Sequence, residues 1–310
     1  MLHVQFAARP DHWPIYEPLL KEAFAAAGLE AQVGMELDPA YVDYMVFSPR
    51  GQAEGFERYT RLKAILSLWA GVEQALPLVP AEIPLSRMVD FGLTQGMVEW
   101  VTGHVLRHHL GMDAHIHGLN GAWIDDKHPP LAPDRTVGIL GLGALGTACG
   151  EALCTLGFRV AGWSRSAKSH PQITCFSGAA GLDEMLSQTE IAVLLLPDTP
   201  ATENTLDGRR LALMPKGAVI INPGRGPLID DTALIAALDG GHIGHATLDV
   251  FRQEPLPKDH LFWAHKQVTV TPHIASVTRP KTAAQTIVET IRLHEAGEPL
   301  RFKVDRSVGY

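Results

Sequence analysis

Short apolar runs alternate with stretches of helical length along almost the whole chain. That alternation predicts strands and helices in turn, layered around parallel sheets. Before residue 100 the runs predict strands at Leu2–Ala7, Ala31–Met35, Tyr44–Phe47, Leu62–Leu68 and Arg87–Val89. Helical spacing predicts a helix over Pro14–Ala27, closed by Gly28, and further helices after Gly51 and after Gly71. A longer helix is expected from Gln95 to Leu110. The stretch from Gly111 to Pro133 is rich in Gly, His, Pro and Asp and keeps neither period, as an arm or linker does.

A second unit begins with the apolar strand Thr136–Leu140. Further strands are expected at Arg159–Trp163, Ile191–Leu196, Ala218–Asn222, His245–Val250 and Val268–Thr271. Six such runs separated by helix-length segments predict a doubly wound α/β sheet. The last helix, Lys281–Glu295, is expected to pack back on the first unit. The expected domains are therefore residues 1–95 with 281–310, and residues 96–280.

A chain of 310 residues suits two domains. Hydrophobic residues make up 46% and charged residues 19%, a globular composition. No run approaches the roughly 18 apolar residues that a membrane helix requires. The start, MLHVQFAARP, reads as a strand rather than a signal peptide, so a cytoplasmic protein is expected. A net charge of -8 argues against nucleic acid as a partner. Cys149, Cys154 and Cys175 form no CxxC pair and read as free thiols.

The run TVGILGLGALG places Gly141, Gly143 and Gly146 between a strand and a helix in a GxGxxG pattern. The first glycine permits a tight turn, the second lets the backbone approach a pyrophosphate, and the third lets helix and strand pack closely. The anion then accepts hydrogen bonds from N–H groups at the helix start. About twenty residues further on, a site for NAD normally carries an acid for the ribose 2′-OH. Here the strand ends in Gly162-Trp163-Ser164-Arg165-Ser166, with hydroxyls and an arginine in place of an acid. Arg165 can pair bidentately with a 2′-phosphate, and Lys168 adds charge, so NADPH is the expected cofactor and NADH the weaker one.

Three segments that follow predicted strands carry the remaining chemistry. They are Asn222-Pro223-Gly224-Arg225-Gly226, Leu248-Asp249-Val250-Phe251 leading to Glu254-Pro255, and Thr271-Pro272-His273-Ile274. Carboxyl ends of strands line the ligand crevice of an open α/β sheet. Reducing a keto acid builds charge on the carbonyl oxygen. An imidazolium, His273, can protonate that oxygen. A carboxylate, Glu254, can fix the ring's tautomer, and a guanidinium, Arg225, can grip carbonyl and carboxylate together.

Taken in order, GLGALG, GWSRS, LLLPDTPAT, INPGRG, ALDGGHIGHATLDVF, EPLP, TPHIAS and VDRSVGY resemble the D-2-hydroxyacid dehydrogenase family, and within it the glyoxylate/hydroxypyruvate reductase A group. The resemblance implies reduction of small 2-keto acids, glyoxylate to glycolate and hydroxypyruvate to D-glycerate. It implies a flavodoxin-like substrate domain built from both chain ends, a Rossmann-like coenzyme domain inserted between them, and a cleft that holds the site. The residues expected along the coenzyme are Gly141, Gly143, Ala144, Leu145, Gly146, Trp163, Ser164, Arg165, Ser166, Leu196, Pro197, Pro223, Gly224 and Asp249. Those expected around the substrate are Arg225, His273 and the segment Trp69-Ala70-Gly71, whose Ala70 and Gly71 N–H groups hold the carboxylate. Trp69 stands where close relatives carry glycine, so its ring is expected to limit substrate size. Pro223-Gly224 departs from the small aliphatic pair more usual before the arginine. A homodimer through the helix near residues 95–110 is expected, since Met97, Trp100, Val101, Val105 and Leu106 share its apolar spacing.

Other signals read more simply. His104 and His108 have the i, i+4 spacing of a helical metal pair, with His109, His115 and His117 nearby. No third ligand is evident from the sequence, and no metal is expected. Asp230-Asp231 reads as the cap of a helix starting near Thr232. The rival functions are another dehydrogenase of the same family, D-lactate type, and a non-enzymatic dinucleotide-sensing protein.

Overall fold

Unbroken apolar runs become the buried strands of the first unit, which comprises Met1–Leu93 with Val277–Tyr310. Its strands are β1 (Leu2–Ala7), β2 (Ala31–Gly34), β3 (Tyr44–Phe47), β4 (Ala64–Ser67) and β5 (Leu85–Ser86). All pair in parallel, in the order β2-β1-β3-β4-β5. That is the flavodoxin-like order. Every residue of β3 and β4 is buried, as a sheet covered on both faces requires. Helix α1 (Trp13–Ala26) packs Tyr16, Leu20 and Phe24 into this core. The computed structural model describes the whole chain except residues 52–54, 117–120, 122, 124–127, 308 and 310.

The second unit, Thr94–Ser276, opens with α2 (Phe91–His109), which begins in the first, and α3 (Asp113–Ile116). Its strands are β6 (Thr136–Leu140), β7 (Arg159–Ser164), β8 (Thr174–Ser177), β9 (Ile191–Leu194), β10 (Ala218–Asn222), β11 (Ile243–Leu248) and β12 (Val268–Val270). They form one parallel sheet in the order β12-β11-β10-β9-β6-β7-β8. The order reverses at β6, so a Rossmann-type switch point lies between β6 and β9. Helices α4 (Ala144–Thr155), α5 (Gly178–Ser187), α6 (Gly208–Leu213) and α7 (Asp231–Asp239) connect the strands. The last helix, α8 (Pro280–Glu295), belongs to the first unit and lies against α1, burying Ala283, Ala284, Ile287, Val288 and Ile291. No helix of the described residues is long and apolar enough to cross a membrane.

Several elements differ from the sequence reading. The seventh strand, β8, was not expected, because its TCFS sequence is partly exposed at the sheet edge and offers no apolar run. Arg87–Val89 is not a strand. Only Leu85 and Ser86 pair with β4, while Arg87 and Met88 donate backbone hydrogen bonds to Phe302 and Trp69. No helix follows Gly71: residues 73–78 form turns, since Pro77 and Pro80 lack the N–H groups that a helix interior needs. The helix expected after Gly51 falls partly on residues 52–54, outside the described set, and Phe56–Arg58 beyond them make a single 3-10 turn. Helix α2 starts four residues before Gln95, where the Leu93 N–H bonds the Asp90 carboxylate. The remaining ends move by one or two residues.

Candidate active site

The glycine loop follows β6. Gly141 has φ +111°, and a Cβ there would stand 2.6 Å from the Leu195 carbonyl oxygen. A Cβ on Gly146 would stand 1.9 Å from the Gly141 carbonyl oxygen, so α4 can approach the strand only with hydrogen at that position. Gly143 behaves differently: no protein atom lies within 4 Å of its missing Cβ. It is the N-cap of α4 and makes no side-chain cap, and Ala144 and Leu145 open the helix behind it. Open space beside backbone at a helix start fits the phosphates of a dinucleotide.

Beyond β7, the Trp163 indole N–H donates to the Gly178 carbonyl (2.9 Å) and the Ser164 hydroxyl to that of Ser166 (2.8 Å). These bonds shape the turn on which Arg165, Ser166 and Lys168 are exposed. The Lys168 ammonium reaches back to donate to the Leu142 carbonyl, inside the glycine loop. Two cations therefore flank the strand end at which an acid is absent. After β9, Leu196 is buried, and the Pro197 carbonyl accepts from the Thr202 hydroxyl (2.7 Å).

Arg225 lies three residues beyond the end of β10. Asn222 builds its turn: the side-chain oxygen accepts from the Gly224 N–H (3.1 Å), and the amide donates to the Arg225 carbonyl (2.9 Å). Pro223 and Gly224 are buried, and a Cβ on Gly226 would stand 2.0 Å from the Phe251 backbone. The sequence reading passed over Asn222, although an Asn-Pro pair before a glycine is a recognisable turn signal.

His273 and Glu254 meet across neighbouring strand ends, Nδ1 to Oε2 at 2.7 Å. The other Glu254 oxygen accepts from the Phe251 N–H at 3.0 Å. Burial by itself would raise the Glu254 carboxyl. The hydrogen bonds from His273 and Phe251, with the charges of His273 and Arg225, outweigh it and hold the group below the usual carboxylate range. His273 has φ +56°, a left-handed conformation that costs a residue with a Cβ roughly 1–2 kcal/mol. Asp249, fully buried, is what holds it there. Its carbonyl accepts from the His273 N–H (2.8 Å), one carboxylate oxygen takes the Thr271 hydroxyl and the Ile274 N–H, and the other takes the Ala275 N–H. Asp249 was expected along the coenzyme. Its carboxylate accepts three hydrogen bonds from the segment that carries His273.

The segment Trp69-Ala70-Gly71 belongs to the first unit. Trp69 is half-buried against that unit's own core, with the Arg50 guanidinium 5.5 Å from its ring centre. Of the dimer candidates on α2, Met97, Val101 and Val105 are buried in the second unit's core, and Trp100 and Leu106 pack against it. Their spacing serves this unit's interior. Large apolar side chains are exposed further along, at Leu110, Met112, Ile116, Trp123 and Leu131. Asp230 caps α7 as expected, accepting from the Ala233 N–H. Cys149 is buried, which pushes its thiol up to about 12.

The histidines on α2 have partners that the sequence did not reveal. His108 faces His245 of β11, ring centres 4.8 Å apart, and Asp113 of α3 stands with them. Burial and neighbouring positive charge push His108 down to about 3 and His245 to about 4, so both rings are neutral near pH 7. His104 lies against Trp100, ring centres 4.2 Å apart and the planes tilted by 52°. His117 lies outside the described residues.

Residues 103–275 match the model of the D-isomer specific 2-hydroxyacid dehydrogenase family, NAD binding domain. The chain is 39% identical over 260 residues to a Glyoxylate/hydroxypyruvate reductase A of Klebsiella pneumoniae, covering 80% of this chain and 82% of that one. Among solved structures it resembles a D-isomer specific 2-hydroxyacid dehydrogenase of Xanthobacter autotrophicus Py2, in complex with NADPH and MES. The identity there is 40%, the TM-score 0.89, and the coverage 100% of this chain and 99% of that one. It also resembles an NADPH-dependent glyoxylate/hydroxypyruvate reductase of Sinorhizobium meliloti, in complex with NADP and sulfate, with 33% identity, a TM-score of 0.85 and full coverage of both chains.

Proposed function

We infer the reaction from a premise that these matches establish: the chain belongs to the D-isomer specific 2-hydroxyacid dehydrogenase family. It reduces small 2-keto acids with NADPH, glyoxylate to glycolate and hydroxypyruvate to D-glycerate. The observation that carries this reading is the 2.7 Å pair of His273 and Glu254, in the electrostatic neighbourhood of Arg225, on strand ends of the sheet that bears the glycine loop. The names of the relatives, and the NADPH or NADP held by the similar structures, support the same reading.

NADPH, when bound, supplies the hydride. Glu254 accepts from Nδ1 of His273, which leaves Nε2 as the nitrogen that delivers a proton to the carbonyl oxygen. The carboxylate also favours the charged imidazole that this delivery needs. The Arg225 guanidinium orients the substrate through its carbonyl and carboxylate oxygens. Asp249 keeps His273 in its left-handed conformation. Gly143 and the start of α4 would hold the pyrophosphate, and Arg165 and Lys168 would hold the 2′-phosphate. Ala70 and Gly71 of the first unit donate to the substrate carboxylate, and Trp69 limits its side chain. The active form is a homodimer in the cytoplasm, and we assign its pairing to the segment that follows α2.

A kinetic panel of glyoxylate, hydroxypyruvate, pyruvate and phenylpyruvate with NADPH and NADH tests the reading. Glyoxylate and hydroxypyruvate with NADPH give the highest kcat/KM. A D-lactate-type preference for pyruvate with NADH would replace it.

A further inference from the structure

The face of β11 and β12 beneath α2 is unusually polar for the interior of a doubly wound unit. His245 and Thr247 alternate onto it from β11, and Thr269, the register partner of Thr247, adds a third polar side chain from β12. Across from them α2 contributes His108, and the segment after it contributes Asp113. His108 Nε2 hydrogen-bonds Thr247 Oγ1 at 2.8 Å, and His245 Nε2 hydrogen-bonds Thr269 Oγ1 at 2.9 Å, so both rings are oriented by threonine hydroxyls. One ring nitrogen of His108, one of His245 and one carboxylate oxygen of Asp113 all lie within 4.8 Å of one another.

We propose that His108, Asp113 and His245 form a binding site for one divalent transition-metal ion, of which zinc is the fitting representative. Two imidazoles and a carboxylate are the donor set that such ions prefer over calcium or magnesium. Bonds of about 2.0–2.2 Å bring ligand atoms to within roughly 3.5 Å of one another, so the three side chains close by about an ångström through rotation alone. The threonines behind the rings supply the outer hydrogen bonds that orient metal-bound histidines.

Arg107 holds the carboxylate of this set. Its guanidinium donates to both carboxylate oxygens of Asp113, at 2.6 and 3.0 Å, and to Thr269 Oγ1 at 2.9 Å. A divalent ion competes with this cation for the same carboxylate, and binding frees Arg107. The ion would fasten α3 to β11, elements far apart in sequence. None of its three ligands is among the groups assigned to hydride chemistry, and its existence does not depend on that reading.

The test is calorimetric titration of zinc chloride into the chelator-treated full chain at neutral pH. One ion binds per chain with saturation, and His108→Ala or His245→Ala weakens binding about tenfold or more. Asp113→Asn, at a position about a third exposed, also weakens it. Arg107→Ala tightens binding, because it leaves the carboxylate to the ion; a purely structural role for the ion pair gives no such gain. His115→Ala leaves the affinity unchanged. Cobalt(II) in place of zinc gives a visible spectrum that changes in Asp113→Asn, which secures the assignment even where a histidine variant fails to fold. Absence of saturable binding by the native chain overturns the proposal, as does equal affinity in His108→Ala and Asp113→Asn, or weaker binding in Arg107→Ala.

Discussion

His273 Nδ1 lies 2.7 Å from Glu254 Oε2, and both groups remain in reach of water, with about half of the His273 side chain and a third of Glu254 exposed. A pair this open works through direction more than through burial energy, so its value lies in which ring nitrogen is left to act. His273→Ala should lower kcat by roughly 10²–10⁴-fold, the usual contribution of a positioned acid. Because the folded Glu254 carboxyl is held below its ordinary range, its contribution to stability is fully present above the ordinary glutamate value. That contribution is lost as pH falls through the lowered folded value. Thermal melts of wild type and Glu254→Gln should therefore converge on acidification, and a gap between them that widens toward low pH would contradict the assigned charge state.

Arg225→Lys should lower kcat/KM steeply, although the charge is kept. A single ammonium cannot make the two-pronged contact with carbonyl and carboxylate, nor reproduce the Arg225 guanidinium N–H that donates to the Gly224 carbonyl at 2.7 Å. Circular dichroism should show an intact fold. Steady-state rates within about twofold of wild type would remove Arg225 from its assigned role.

Much of this arrangement was legible in the sequence because its elements announce themselves locally. Thr136–Leu140 and Ala218–Asn222 are unbroken apolar runs with glycines or prolines just beyond, and their bounds coincide with β6 and β10. Arg225, Glu254 and His273 each follow a strand closely, so the sheet alone brings them to one edge. What stayed hidden depends on pairing between distant segments. β8 is held by β7 and not by its own composition. The role of Asp249 lies in donors from residues 271, 274 and 275. The i, i+4 spacing of His104 and His108 offers no third ligand in the sequence, whereas the fold joins His108 to His245 and Asp113. The segment after Gly71 had helical spacing, yet its prolines decided the backbone.

Cofactor selection gives a third prediction. Arg165 is exposed at the end of β7, on the turn shaped by Ser164 and Ser166. A charge-assisted contact to phosphate contributes about 1.5–3 kcal/mol, so Arg165→Ala should weaken NADPH roughly ten- to a hundredfold and leave NADH nearly unchanged. Fluorescence titration with both cofactors checks this. An equal loss for the two would mean that Arg165 supports the turn and does not read the 2′-phosphate.

Self-association should depend on the segment after α2 rather than on α2's own apolar stripe. Val101 and Val105 are fully buried in the second unit, so altering them damages a core. Trp123 is 89% exposed, and Ile116 61%. Such side chains on one short stretch are what an interface anchor looks like before its partner is in place. Sedimentation of the native chain at micromolar concentration should show a dimer, and Trp123→Ser should shift it toward monomer with little change in melting temperature at low concentration. A monomeric native chain would end the proposal.

Trp69 is the residue for which sequence and structure pull hardest in different directions. Its position beside Ala70 and Gly71 suggested a wall of the substrate pocket, whereas the ring packs half-buried on the first unit's core under the Arg50 guanidinium. The two roles are compatible, because an indole is large enough to bury one edge and present another. They differ in what its removal does. Full burial of an aromatic ring makes truncation cost about 3–5 kcal/mol, so a half-buried Trp69 replaced by glycine should cost about 2 kcal/mol and lower the melting temperature by several degrees. If the ring also bounds the pocket, Trp69→Gly should raise activity on phenylpyruvate relative to glyoxylate, since overpacking by a rigid side chain excludes larger keto acids at about 1–3 kcal/mol. Trp69→Phe separates the effects: it keeps most of the core contact and the cation–π partner while shortening the wall. A melting temperature restored by phenylalanine with an altered substrate ranking supports both roles. Restored stability with the native ranking in every variant would leave Trp69 as a core residue alone.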